Sequence, residues 1–197
     1  MAAQALRYSG LVLVAGAVLL VLAIIWIALK PLSAQILSPG VSVLMLLAVL
    51  LLMLSLPGVY IKQAEAAGWL GLAGHILLQA GLLIFVVLAT PALTFPGIKV
   101  PLSESATVFL LGIALFLGLL GTGIASLQAK VFPRWQAILL LAATAGFFFS
   151  FFIAEFLPPV FGQVGSALMG ILLAASFAGM GLFIYDPQLL TAKYWTG

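Results

Sequence analysis

A polytopic, all-α transmembrane bundle of about six helices is the fold class that this sequence predicts, and three observations carry it. Hydrophobic residues make up 65% of the 197 positions and charged residues only 6%. A water-soluble domain carries about a quarter charged residues, and a chain this poor in charge has no means of covering its own surface in water. Apolar runs of about 20 residues, each long enough to span roughly 30 Å of hydrocarbon, recur along the whole length. Proline or polar residues interrupt them at nearly every break.

Taken in order, the helices are placed at 8–29, 41–60, 69–89, 105–126, 135–156 and 164–185, within a single transmembrane domain covering 1–197. The first run is full length and more runs follow it, so it reads as a retained helix and not as a cleaved secretory signal with a short apolar core. Pro31 and Pro39 flank the first loop. The second and third helices are separated by the polar stretch Lys62-Gln63-Ala64-Glu65. Pro91, Pro96 and Pro101 punctuate the third loop, Lys130 and Arg134 the fourth, and Pro158 and Pro159 the fifth. Proline has no amide to donate to a helix ladder and pushes the preceding residue out of helical geometry. Long continuous apolar runs also exclude a membrane β-barrel, which shows alternating segments of about ten residues.

The basic residues set the expected orientation. Arg7, Lys62, Lys130, Arg134 and Lys193 fall on one side of this topology, and only Lys30 and Lys99 on the other. Positive charge accumulates on the cytoplasmic side, so the split predicts a multi-pass protein of the cell membrane with both termini in the cytoplasm. Tyr8, Tyr60, Trp69, Trp135 and Tyr185 sit at the same edge, where amphipathic rings favour the interface. The net charge of +3 is spread over short loops and reads as topology, with no nucleic-acid footprint.

The chain also looks like three repeated helical hairpins of about 60 residues in parallel orientation. Odd helices start alike, at Arg7-Tyr8-Ser9-Gly10-Leu11, Gly68-Trp69-Leu70-Gly71-Leu72 and Arg134-Trp135-Gln136-Ala137-Ile138. Even helices end alike, at Pro57-Gly58-Val59-Tyr60, Thr122-Gly123-Ile124-Ala125 and Met180-Gly181-Leu182-Phe183-Ile184-Tyr185. Lipid supplies no hydrophobic drive between helices, so close packing needs small residues. Rows at i, i+4 spacing (Ala114, Gly118 and Thr122; Ala142, Gly146, Ser150 and Ala154; Ser166, Gly170, Ala174 and Ala178) predict that the last three helices pack closely together. The first two helices, richer in leucine and valine, are expected to face lipid or a partner chain.

Candidate chemistry is sparse. The only histidine is His75, and Gly71, His75 and Gln79 share one face of the third helix. At 1.5 Å per residue His75 lies about 9 Å in from Trp69 and Gln79 about 15 Å in, near mid-bilayer. A pair at that depth suits a ligand contact or a proton relay; the structural alternative is interhelical hydrogen bonding, worth about 0.6–2 kcal/mol. Glu155, beside Pro158 and Pro159 at the outer edge, is the one carboxylate adjoining an apolar run, and offers a cation or proton site at an outward mouth. Glu65, Glu104 and Asp186 read as helix-boundary residues.

Several functions are set aside. The chain has no cysteine and one histidine, which leaves no pair of histidines for haem and too few ligands for zinc. No phosphate-binding G-x-x-x-x-G-K-[ST] occurs. No aspartate lies within a span for a triad or paired-aspartate site, and no lysine lies deep enough for a retinal Schiff base. No metal or other cofactor and no catalytic residue is expected. What remains is, first, a non-catalytic subunit or accessory component of a membrane assembly, with the lipid bilayer and other membrane chains or a second copy as partners. The second is a small transporter or ligand-binding module with a polar site around His75 and Gln79, and the third a lipid-active enzyme. Six helices in under 200 residues are similar in size and topology to the substrate-binding subunits of energy-coupling-factor vitamin importers, with no shared motif.

Overall fold

The computed structural model describes residues 2–28, 39–94, 106–152 and 159–186. These form five α-helices: α1 (Ala2–Ala28), α2 (Pro39–Thr94), α3 (Ala106–Ala129), α4 (Arg134–Phe152) and α5 (Pro159–Tyr185). Pro39 and Pro159 each open a helix, the position where a missing amide costs nothing and a fixed φ is already helical. Four of the five are long and apolar enough to cross a membrane, over Gln4–Ala28, Gly40–Thr90, Ala106–Ala129 and Val164–Tyr185. The chain is thus an all-helical protein built for a membrane. In α4 the apolar stretch is shorter, Arg134–Phe149.

The largest departure from expectation is α2. The sequence predicts two helices separated by a polar loop at 61–68, yet the 56 residues of α2 form one helical element broken only at Gly68, where φ is 56° and ψ −150°. That conformation belongs almost solely to glycine. Beyond its own chain neighbours nothing lies within 4 Å of where a Gly68 side chain would start, so the constraint on this residue is conformational. The break reverses the chain. Met53 and Gln79, 26 residues apart in sequence, are hydrogen-bonded to one another, whereas a straight helix would hold them about 39 Å apart. Lys62-Gln63-Ala64-Glu65 keeps helical form because its charges lie on one side: Glu65 is exposed while Gln63 and Ala67 are buried on the other.

The helices close into a ring. α1 packs on α2 and α5, α2 on α3, α3 on α4, and α4 on α5. Glycine sits at every seam, because only a missing side chain lets two backbones approach without a void. Gly16 and Gly58 in α1 and α2 face Leu52 and Ser9 across their shared seam. Gly74 and Gly121 cross directly between the second leg of α2 and α3, and Gly123 lies against Leu141 of α4. Gly179 lies against Trp135 and Gln136 between α5 and α4, and Gly181 meets Gly10 where α5 returns to α1. The ring is filled: Leu13 of α1, Leu56 and Leu78 of the two legs of α2, Leu140 of α4 and Met180 of α5 are fully buried at its centre, and Leu119 of α3 packs in the same core. Large apolar side chains such as Leu54, Ile76, Val87 and Phe109 point outward, the surface a hydrocarbon solvent accepts.

These contacts revise the packing pattern expected from small-residue rows. Gly118 abuts the backbone of Leu78 in α2, not α4 or α5. Gly146 does meet Met169 of α5, whereas Gly170 meets Ile24 of α1, and Ala174 is buried in the core. Among the described residues the backbones of α3 and α5 do not come into contact, and α1 and α2, expected at the lipid or a partner, are integral to the ring.

Candidate functional site

Both deep polar residues of the predicted third helix lie on the second leg of α2 and are engaged by its first leg. The His75 ring stacks on Tyr60 with centroids 5.1 Å apart and planes 19° from parallel. One turn further in, Gln79 Nε2 donates to the Met53 carbonyl at 2.9 Å. Both side chains are half-buried.

The choice of Met53 as acceptor follows from covalent structure. In an α-helix the carbonyl of residue 53 takes its bond from the amide of residue 57. Residue 57 is Pro57, which has no amide hydrogen. Within a membrane an unmatched carbonyl costs several kcal/mol, and a proline is tolerated there when a neighbouring helix supplies the missing donor. Gln79 is that donor. The helix bearing the proline and the helix bearing the glutamine are therefore joined by a bond that repairs one while tying it to the other.

Two further polar pairs, which sequence reasoning missed, join helices. Ser126 Oγ of α3 lies 2.9 Å from Gln63 Oε1 of α2 and 2.8 Å from the Thr122 carbonyl, with its single proton shared between them. Ser176 Oγ of α5 donates to the Gln136 carbonyl of α4 at 2.8 Å. All four residues are buried. A usable signal existed for the glutamines. Leu52, Leu56, Val59, Gln63 and Ala67 continue one helical stripe past the expected helix end, and Gln136, Leu140 and Thr144 form another at i, i+4 spacing.

The polar residues do not converge on a described cleft. An apolar cleft of about 210 Å³ is lined by Ile24, Ile27, Ala28, Met45, Ser166 and Ala167. It lies at the far end of α1, away from the α2 bend, and contains neither His75 nor Gln79. Glu155 lies outside the described residues, as do Lys30, Lys99 and Lys193. Arg7, Lys62, Lys130 and Arg134 all gather at the end of the bundle marked by the α2 bend, where Ser9 meets Gly58 and Gln63 meets Ser126. Exposed Tyr8 and Trp69 lie at that same end. Among the described residues no group of three or more His, Cys, Asp or Glu side chains is placed to hold a metal ion. Comparison of the chain with protein-family models, with curated proteins and with solved structures finds no match.

Proposed function

We propose that this protein is a non-catalytic subunit or accessory component of a membrane assembly, crossing the bilayer six times through α1, both legs of α2, α3, α4 and α5. One observation carries this reading: three polar side chains at the helix seams, Gln79, Ser126 and Ser176, are used to hold this chain's own helices together. Gln79 serves Met53, Ser126 serves Gln63, and Ser176 serves Gln136, while the outward faces are apolar. A protein whose polar groups maintain its own shape, and whose exterior is large aliphatic and aromatic side chains, is suited to packing against lipid and other membrane chains. Native mass spectrometry after mild-detergent extraction is the direct test. A stable partner or a defined homo-oligomer is the expected result, and a lone monomer in every detergent overturns the reading.

The basic end is proposed to face the cytoplasm, with both termini there. The native chain has no cysteine, so single cysteines report cleanly. Glu65→Cys and Gln128→Cys, both at exposed positions of that end, are expected to resist a membrane-impermeant maleimide in intact cells and to react once the cells are opened. Labelling in intact cells would invert the orientation.

Three hairpins related by repetition are part of the same proposal. Its support is a recurring contact one residue after an aromatic. A methyl on Gly58 would strike Ser9, which follows Tyr8. On Gly121 it would come within 3.8 Å of the carbonyl of Leu70, which follows Trp69, and on Gly179 within 2.9 Å of Gln136, which follows Trp135.

A further inference from the structure

Gln136 is fully buried, and neither end of its side-chain amide has a hydrogen-bond partner. The residue is firmly placed. Its backbone N–H donates to the Pro133 carbonyl at 3.0 Å, and its own carbonyl accepts from Ser176 at 2.8 Å. The side chain lies in the α4–α5 seam opposite Gly179, where a Cβ would come within 2.9 Å of Nε2. The absence of a side chain at Gly179 is what gives the amide its place. A buried donor or acceptor left unmatched is costly, whereas leucine would fill a similar volume with no polar atom to satisfy.

An occupant matching this amide must donate to Oε1 and accept from Nε2. It must be small enough for a closed helix seam. It must also be neutral, because burying an ion costs far more than burying a dipole. We propose that Gln136 is the binding site of an internal water molecule, held at the basic end of the bundle as a permanent part of the α4–α5 seam. Water both donates and accepts from one oxygen, and internal waters characteristically bond to polar groups that the protein leaves unmatched. Thr122 Oγ1 in α3, only 3% exposed and also without a partner, is a second group with the same need.

The test is magnetic-resonance detection of water at the side-chain amide of Gln136 in the intact, detergent-solubilised protein. Paired NOE and ROE spectra separate dipolar contact from proton exchange. The Gln136 NH₂ pair is assigned by its loss in Gln136→Leu, or, where that variant does not fold, in Gln136→Asn with glutamine-selective labelling. A contact cross-peak to water from this pair is the expected result. No cross-peak, or one arising from exchange alone, overturns the proposal.

Discussion

Gly118→Val is expected to lower stability by about 3 kcal/mol, near the upper end of the range for overpacking. A Cβ at Gly118 would lie 2.6 Å from Leu78 Cα and 2.9 Å from Leu78 Cβ, so even its first carbon meets main chain and has no flexible tip to displace. Relief requires α3 to move away from α2, which would open the Gly74–Gly121 crossing one turn along. The measurement is the thermal midpoint in mild detergent, expected to fall by roughly 6–12 °C for a chain of this size. Gly40→Ala is the control: the nearest atom to its new Cβ is the Trp26 ring at 3.7 Å, an ordinary contact, and the change should stay within about 0.5 kcal/mol. Equal midpoints for Gly118→Val and the native protein would mean that this seam is not as close as described.

Gln79→Leu is expected to cost about 1–3 kcal/mol, the price of leaving a part-buried carbonyl unmatched away from water. The loss should depend on Pro57. With Pro57→Ala in the same chain, residue 57 regains an amide hydrogen and Met53 its ordinary helical donor, so Gln79→Leu should then cost little. A double-mutant cycle is expected to show a coupling of at least about 1 kcal/mol. Equal cost of Gln79→Leu in the two backgrounds would break the link between proline and glutamine and would return Gln79 to candidacy as a ligand contact.

The helical, membrane-built character of the chain was legible because it rests on run length and charge content, both local properties. Neighbour relations were not. The row containing Gly118 reads as a packing face, but nothing in its spacing says that the facing helix is the second leg of α2. That depends on the order of helices around the ring. The stretch around Lys62 and Glu65 reads as a loop by its charge content alone, whereas its charges occupy one side of a helix whose other side, Gln63 and Ala67, stays buried. Gln79 could be placed near mid-bilayer by counting residues. Its acceptor could not, because Pro57 and Gln79 are brought together only by the reversal at Gly68. The buried glutamines, Gln63 and Gln136, give no such signal of depth, because each stands near a predicted helix end, where polar residues are ordinarily solvated.

The meeting of Gly10 with Gly181 has a consequence for biosynthesis. When α1 leaves the ribosome it carries a face that α5, made much later, will cover. At about 5–20 residues per second the interval between synthesis of those two glycines is roughly 10–30 s. Throughout it α1 is held by the first leg of α2 alone, with its other flank open to lipid. The α1–α5 seam is therefore the last of this ring to form, and a nascent chain stopped before α5 would be an inserted but unsealed arc.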